Sequence, residues 1–219
     1  MFTLNGLGST FPKAHPLHRV GVSFTFSIIR PTPLRVRPVD PSTFAWFHVT
    51  THTYGAWLYG DPRGFRTRHH REHIEGDYKH PPPPGRYDEV FKRSQRLLKQ
   101  EPGRLSPTWR QVVGEAVRDR LFSLGAEVIA ISMSAKHAHI QVKLPPVEAR
   151  QWVGLAKKHA WFIARSCGWQ KHLWAKRGRA ERILDYQHQV NTFSYIVRHK
   201  TNEGAWVWTF RDGRPTATR

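Results

Sequence analysis

The chain has 219 residues, and its 35 lysines and arginines against 16 aspartates and glutamates give a net charge of +19. No apolar run approaches the roughly 20 residues that a membrane span requires. The one cysteine, Cys167, excludes an intramolecular disulfide and a cysteine-based zinc site. A basic excess spread along the whole chain favours a polyanionic partner, of which nucleic acid is the commonest.

The two ends of the chain show no clear regular element. Residues 1–42 are interrupted by prolines and have little periodicity, so we predict a flexible or adventitious N-terminal extension. Residues 211–219 are predicted to form a basic tail. The N-terminus lacks a convincing signal-peptide core, so we expect a cytoplasmic protein. The expected domain covers residues 43–210.

The domain is predicted to begin with a strand over residues 44–54, which are rich in aromatic and β-branched side chains. A basic, polar stretch over residues 66–104 follows and contains four consecutive prolines. We interpret it as an insertion loop with a short helix around residues 87–99. Its histidines are expected to be solvated and not to bind metal: His69, His70, His73 and His80.

A more regular series of elements comes next. Ser106 as a cap and Pro107 at the first helical position predict the start of a helix, and Gly125 predicts its end. The remaining elements are predicted as strands over 126–133 and 137–144, a helix over 147–166, a short strand or loop over 173–178, a helix over 185–200 and a strand over 205–210. This order predicts an α+β fold with a ferredoxin-like β-α-β-β-α-β core, an antiparallel sheet with the helices on one face.

Two histidines stand out in the strand over 137–144. Ala138, Ile140, Val142 and Leu144 alternate there with polar residues, which is typical of a half-buried strand. The alternation places His137 and His139 side by side on the polar face, where two imidazoles can hold one metal ion. The alternative is a pair of ordinary surface histidines.

The last helix carries a second group of reactive side chains. A projection at 100° per residue predicts that an apolar side packs on the sheet, formed by Tyr186, Val190, Phe193 and Val197. The opposite side then carries His188, Thr192, Tyr195 and His199. Tyr195 and His199 are neighbours at i and i+4. This side is either a solvent face or a site in which Tyr195 is the nucleophile and His199 completes the metal coordination; Tyr186 and His188 are the rivals for these roles.

These motifs resemble those of the IS200/IS605-type single-tyrosine transposases, including their relatives associated with repetitive extragenic palindromes. These enzymes belong to the His-hydrophobe-His endonuclease superfamily. The resemblance covers roughly residues 44–210 and is carried by His137-Ala138-His139 and by Tyr195-Ile196-Val197-Arg198-His199. His199 stands where the family often has Gln or Asn.

The resemblance implies an activity and a set of roles. His137, His139 and His199 would bind Mg²⁺ or Mn²⁺, and Tyr195 would attack single-stranded or hairpin DNA to form a 5′-phosphotyrosine. It also implies a homodimer in a bacterial cytoplasm. The residues that we expect to contact nucleic acid are Arg63, Arg150, Lys157, Lys158 and Arg198.

Three other functions compete with a transposase. A domesticated relative could hold hairpin or single-stranded DNA without cutting it. A two-histidine phosphoesterase would need two His-x-Thr/Ser motifs, of which His48-Val49-Thr50 supplies one and His137-Ala138-His139 does not supply the second. A zinc hydrolase would need a glutamate as general base, and the sequence shows no obvious one near the histidine pair.

Overall fold

The computed structural model describes residues 43–65 and 82–213. The predicted extension over 1–42, much of the predicted insertion loop and the end of the basic tail lie outside the described residues. The domain boundaries therefore stay predictions. The described elements are β1 (Ala45–Thr53), α1 (Asp88–Arg96), α2 (Pro107–Ser123), β2 (Glu127–Met133), β3 (His137–Leu144), α3 (Ala149–Ser166), β4 (Trp174–Arg182), α4 (Tyr186–Glu203), β5 (Trp206–Thr209) and a 3₁₀ turn (Phe210–Asp212).

The five strands form one antiparallel sheet in the order β4-β1-β3-β2-β5. Elements β1, α2, β2, β3, α3 and β4 make the predicted ferredoxin-like β-α-β-β-α-β core, and α4 and β5 extend it at the β2 edge. The predicted α+β class, antiparallel sheet and ferredoxin-like core are therefore confirmed. The fourth strand is longer than the short strand or loop expected over 173–178, and α1 lies within the predicted range of 87–99.

One face of the sheet carries the apolar core. Helices α2 and α3 cover this face, as predicted, and β1 and β3 pair across it with Val49 opposite Ile140 and Phe47 opposite Val142. The Ser106 side chain accepts a hydrogen bond from the Trp109 backbone N–H and so caps α2 as expected. Burial of an apolar side chain such as Val49 or Ile140 stabilises the fold by about 1.5–3 kcal/mol.

Helix α2 approaches the edge strand β5 very closely at Gly114. A Cβ atom at this position would come within 2.3 Å of the Trp206 indole, so only glycine fits without moving the ring or the helix. The next inward residue of β5, Trp208, packs edge to face on Phe122 of α2 at 5.5 Å between ring centroids. These contacts seat α2 on the β2–β5 edge.

Helix α4 lies on the other face of the sheet, against β2 and β3, so the helices do not all collect on one face. The predicted packing side of α4 is wrong: Tyr186 is 80% exposed, whereas Thr192, Ile196 and His199 are buried. The reason is that this sheet face is itself polar. The Gln141 side chain of β3, for example, donates a hydrogen bond to the Gln189 carbonyl of α4 at 3.0 Å.

Both ends of α4 are fixed by local chemistry. The Asp185 side chain accepts a hydrogen bond from the His188 N–H at the start of the helix. Gly204 ends the helix in the left-handed region with φ of 58°. Among the described residues, no helix is long and apolar enough to cross a membrane.

Candidate metal centre

Three histidines meet between the polar face of the sheet and α4. His137 and His139 come from β3 and His199 from α4, and a donor nitrogen of each lies within 4.8 Å of the others. Ring centroids are 5.0 Å apart for His137 and His139, 5.4 Å for His137 and His199, and 4.7 Å for His139 and His199. The structure thus brings together the three residues predicted as metal ligands.

Burial disfavours the charged form of both strand histidines. Burial lowers the pKa of His137, against a smaller raising effect of Glu203. Burial and then the neighbouring histidines lower the pKa of His139 to about 2. A neutral imidazole keeps one ring nitrogen with a free lone pair, which is the form that binds metal.

Hydrogen bonds orient two of the imidazoles. His199 Nδ1 lies 2.9 Å from the Tyr195 backbone carbonyl, which can only accept, so Nδ1 donates and Nε2 is left as its nitrogen for a metal. His139 Nδ1 lies 3.0 Å from His48 Nε2 and 3.2 Å from Thr50 Oγ1, both on β1. These contacts leave His139 Nε2 as its nitrogen for a metal. Partners of this kind fix the tautomer and direction of ligating histidines.

Tyr195 lies directly beside the cluster. Its ring centroid is 4.7 Å from that of His199, 5.0 Å from that of His139 and 5.8 Å from that of His48. The residue is 41% exposed, so it is reachable from solvent. Tyr186, the rival nucleophile, is the first residue of α4 and is 80% exposed, and His188 is not in the three-histidine group.

Sequence reasoning missed three residues at this site. His48 and Thr50 lie on β1, and the strand register pairs Thr50 directly with His139. Glu203 lies at the end of α4, with Oε2 3.4 Å from His137 Nε2 and Oε1 3.7 Å from His199 Nε2. The available signals were the His-x-Thr motif in β1 and the one-turn spacing from His199 to Glu203.

A basic cleft of about 430 Å³ opens beside the cluster. It contains Arg63, whose guanidinium forms an ion pair with Asp61 and lies 5.4 Å from the centre of the Trp57 ring. The lining residues are His52, Ala56, Trp57, Arg63, Arg104, Arg110, Ala135, Lys136, His137 and Glu203. Positive charge is therefore concentrated next to the three histidines.

The other residues predicted to contact nucleic acid are dispersed. Arg198 is exposed on α4, whereas Arg150 and Lys158 are exposed on α3, across the sheet from the histidines. The Lys157 amine donates to the Ala175 carbonyl at 2.7 Å, and burial lowers its pKa to about 8. Of this set, only Arg63, which lines the cleft, and Arg198, which is on α4, lie on parts of the chain that surround the site.

A search of solved structures finds a similar chain, described as "Structure of the REP associates tyrosine transposase bound to a REP hairpin". The match covers 78% of this chain and 73% of that chain, at 16% sequence identity and a TM-score of 0.41. No family model and no curated protein matches this chain. The function of the present chain is therefore inferred from the geometry of its own histidine cluster and Tyr195.

Proposed function

We propose that this protein is a metal-dependent endonuclease and strand transferase for single-stranded or hairpin DNA, with Tyr195 as the nucleophile. The observation that carries the proposal is the contact of one exposed tyrosine with a three-histidine cluster, at 4.7 and 5.0 Å from two of its rings. A nucleophile, a cation site and a basic surface are what phosphodiester cleavage by a protein group requires.

The donor set fits a divalent cation. Three nitrogens converge within 4.8 Å, two of the imidazoles are oriented by hydrogen bonds through Nδ1, and the pKa values of His137 and His139 are lowered. We propose Mg²⁺ or Mn²⁺ as the ion. When bound, such a cation withdraws charge from the non-bridging oxygens of a phosphate. The protein supplies the rest of the chemistry.

In the proposed reaction, the Tyr195 hydroxyl attacks the phosphorus and the bond from phosphorus to the 3′ oxygen breaks. The phenol loses its proton to solvent, to which the side chain has access, and the departing 3′ oxygen takes up a proton. The products are a 5′-phosphotyrosine and a free 3′-hydroxyl. Attack of another 3′-hydroxyl on the adduct reverses the step and joins strands.

Binding is proposed to depend on the charge excess of +19. Arg63 in the cleft and Arg198 on α4 are the proposed phosphate contacts near the site. Arg150, Lys157 and Lys158 stay predictions for DNA contact, and they lie on the α3 side of the sheet. A homodimer and a bacterial cytoplasmic location complete the proposal and come from the family resemblance.

The test is the detection of a covalent protein–DNA adduct on denaturing gels. Wild type, Tyr195→Phe and Tyr186→Phe are incubated with Mn²⁺ or Mg²⁺ and a pool of single strands that carry a hairpin and randomised flanking arms. A label at the 3′ end follows the 5′-phosphotyrosine, and a label at the 5′ end follows the released 3′-hydroxyl. We expect an adduct from wild type and Tyr186→Phe but none from Tyr195→Phe.

Other outcomes select among the competing functions. An adduct that is lost only in Tyr186→Phe would show that the other tyrosine is the nucleophile. Cleavage without an adduct would favour a hydrolase. Glu203, which lies next to His137, would be the candidate general base of such an enzyme. Hairpin binding without cleavage by the metal-loaded protein would favour the domesticated DNA-binding function.

A further inference from the structure

Glu203 is a charged group of this site that the proposed reaction does not use. It is the last residue of α4, one turn after His199 and two turns after Tyr195. One carboxylate oxygen lies 3.4 Å from His137 Nε2 and the other lies 3.7 Å from His199 Nε2. The carboxylate thus spans a strand ligand and a helix ligand.

The backbone at Glu203 is held in place. The Arg110 guanidinium donates to the Gly204 carbonyl at 2.6 Å and to the Glu203 carbonyl at 3.3 Å. The Ala205 N–H donates to the His199 carbonyl at 3.1 Å, which closes the end of the helix. The Glu203 side chain therefore extends from a fixed backbone position beside the two imidazoles.

Helix stability does not account for a glutamate at this point. The C-terminal end of a helix carries partial negative charge, so a carboxylate in the last turn is unfavourable there. A cation between the carboxylate and the imidazoles would supply the positive charge that balances it.

We propose that Glu203 is a fourth protein ligand of the metal centre, which then consists of three imidazoles and one carboxylate. The proposal rests on the metal site of the proposed function. Two ligand atoms about 2.1 Å from one ion lie about 3–4 Å apart, and the distances from Oε2 to His137 Nε2 and from Oε1 to His199 Nε2 fall in this range.

The position of Glu203 also leaves room for the substrate. The carboxylate closes the edge of the cluster formed by His137 and His199, whereas Tyr195 contacts the edge formed by His139 and His199. Ligand and nucleophile thus occupy different edges. A phosphate facing Tyr195 would not have to displace the carboxylate.

The ligand set selects among cations. Imidazole is a favoured ligand of transition metals, and Mg²⁺ prefers oxygen ligands and keeps its waters. Three imidazoles with a single carboxylate therefore favour Mn²⁺ over Mg²⁺, and the carboxylate supplies the one anionic oxygen. Without it, the affinity for Mn²⁺ should fall at least about 10-fold, the smallest loss typical of changes around metal ligands.

The test titrates Mn²⁺ into the full chain without DNA and follows free Mn²⁺ by electron paramagnetic resonance. The variants are Glu203→Gln, which keeps the shape and removes the charge, and Glu115→Gln, a control on the exposed side of α2. We expect an affinity at least about 10-fold lower for Glu203→Gln and unchanged for Glu115→Gln. Thermal unfolding of both variants in EDTA at temperatures no lower than that of the wild type would show that folding is intact.

The outcomes separate this inference from the proposed function. Unchanged Mn²⁺ affinity in Glu203→Gln would overturn the inference and leave the tyrosine chemistry standing. Weaker Mn²⁺ binding in Glu203→Gln, with no adduct from wild type on any hairpin strand, would support the ligand and contradict the nuclease. A wild type that binds no Mn²⁺ would overturn both. If Glu203→Gln is unstable, Glu203→Asp should keep more of the Mn²⁺ affinity than Glu203→Ala, and equal losses in the two would overturn the inference.

Discussion

The two faces of the sheet are buried by different means. On one face, side chains such as Val49 and Ile140 pack under α2 and α3. On the other face, α4 covers histidine and glutamine side chains, and polar contacts such as that of Gln141 with the Gln189 carbonyl accompany the apolar packing of Ile196. Burial alone therefore does not distinguish a core from a site, because His139 is only 6% exposed.

The difference lies in how the polar groups are satisfied. A buried polar group without a partner costs free energy, so a polar interface needs specific hydrogen bonds that an apolar one does not. The His139 ring uses one nitrogen for β1 and keeps the other for the cluster. Strand β3 can thus serve both faces, with chemistry at its odd-numbered positions and packing at its even-numbered ones.

The largest expected effect comes from removing a ligand on the polar face. His139→Ala should lower metal-dependent cleavage at least about a thousand-fold, because a bound cation contributes several kcal/mol to transition-state stabilisation. Cleavage of a labelled hairpin strand measures the rate, and fluorescence anisotropy should show that DNA binding persists. Full cleavage by this variant would remove His139 from the metal site.

The neighbouring residue on the apolar face should behave in the opposite way. Ile140→Ala removes a side chain that is only 2% exposed, and the free energy of unfolding should fall by about 2–5 kcal/mol. Urea unfolding measures this loss. At temperatures where the variant is folded, Mn²⁺ affinity should match the wild type, and a specific loss of affinity would show that the two faces are coupled.

A smaller effect is expected from the residue that orients His139. His48→Leu removes the imidazole nitrogen that lies 3.0 Å from His139 Nδ1, while Thr50 remains, so metal affinity should fall by about 10–100-fold. Calorimetric titration with Mn²⁺ measures the change. His172→Leu, an exposed histidine away from the cluster, is the control, and equal affinities in the two variants would contradict the orienting role.

The smallest effect concerns an amine on the apolar side. Lys157 has its pKa lowered to about 8 by burial, below its ordinary value of 10.5, so the unfolded state binds more protons between these pH values. Relative to Lys157→Met, the wild type should gain stability as the pH rises from about 8 to about 10.5. The gain should be about 1 kcal/mol or less because the side chain is partly exposed.

Urea unfolding of both proteins at the two ends of this pH range checks that prediction. The comparison with Lys157→Met cancels the titration of other groups. A constant difference between the two proteins would show that the amine is fully solvated and free for phosphate, as the sequence-based prediction of DNA contact requires.

Local patterns predicted much of this molecule. Three features depend only on neighbours in sequence: the cap at Ser106, the placement of His137 and His139 on one face of a strand, and the one-turn spacing from Tyr195 to His199. These patterns predicted the order of the elements and indicated the candidate ligands.

The side of α4 that meets the sheet could not be found in this way. An amphipathic projection assumes an apolar partner, and the partner here is a polar sheet face, so Ile196 and His199 are buried and Tyr186 is exposed. His48 and Glu203 were missed for a related reason. Their roles depend on the register of β1 with β3 and on where α4 ends over the sheet, which are contacts between distant parts of the chain.

The three-histidine cluster takes its side chains from a strand and a helix, so it does not tolerate insertions or deletions within either motif. One residue inserted between His137 and His139 would turn one imidazole to the opposite face of the sheet. One residue inserted between Tyr195 and His199 would rotate the tyrosine by about 100° relative to the ligand and shift it by about 1.5 Å. Related chains with the same centre should therefore place their insertions and deletions in connections such as residues 97–106 and 167–173, and keep both motifs free of gaps.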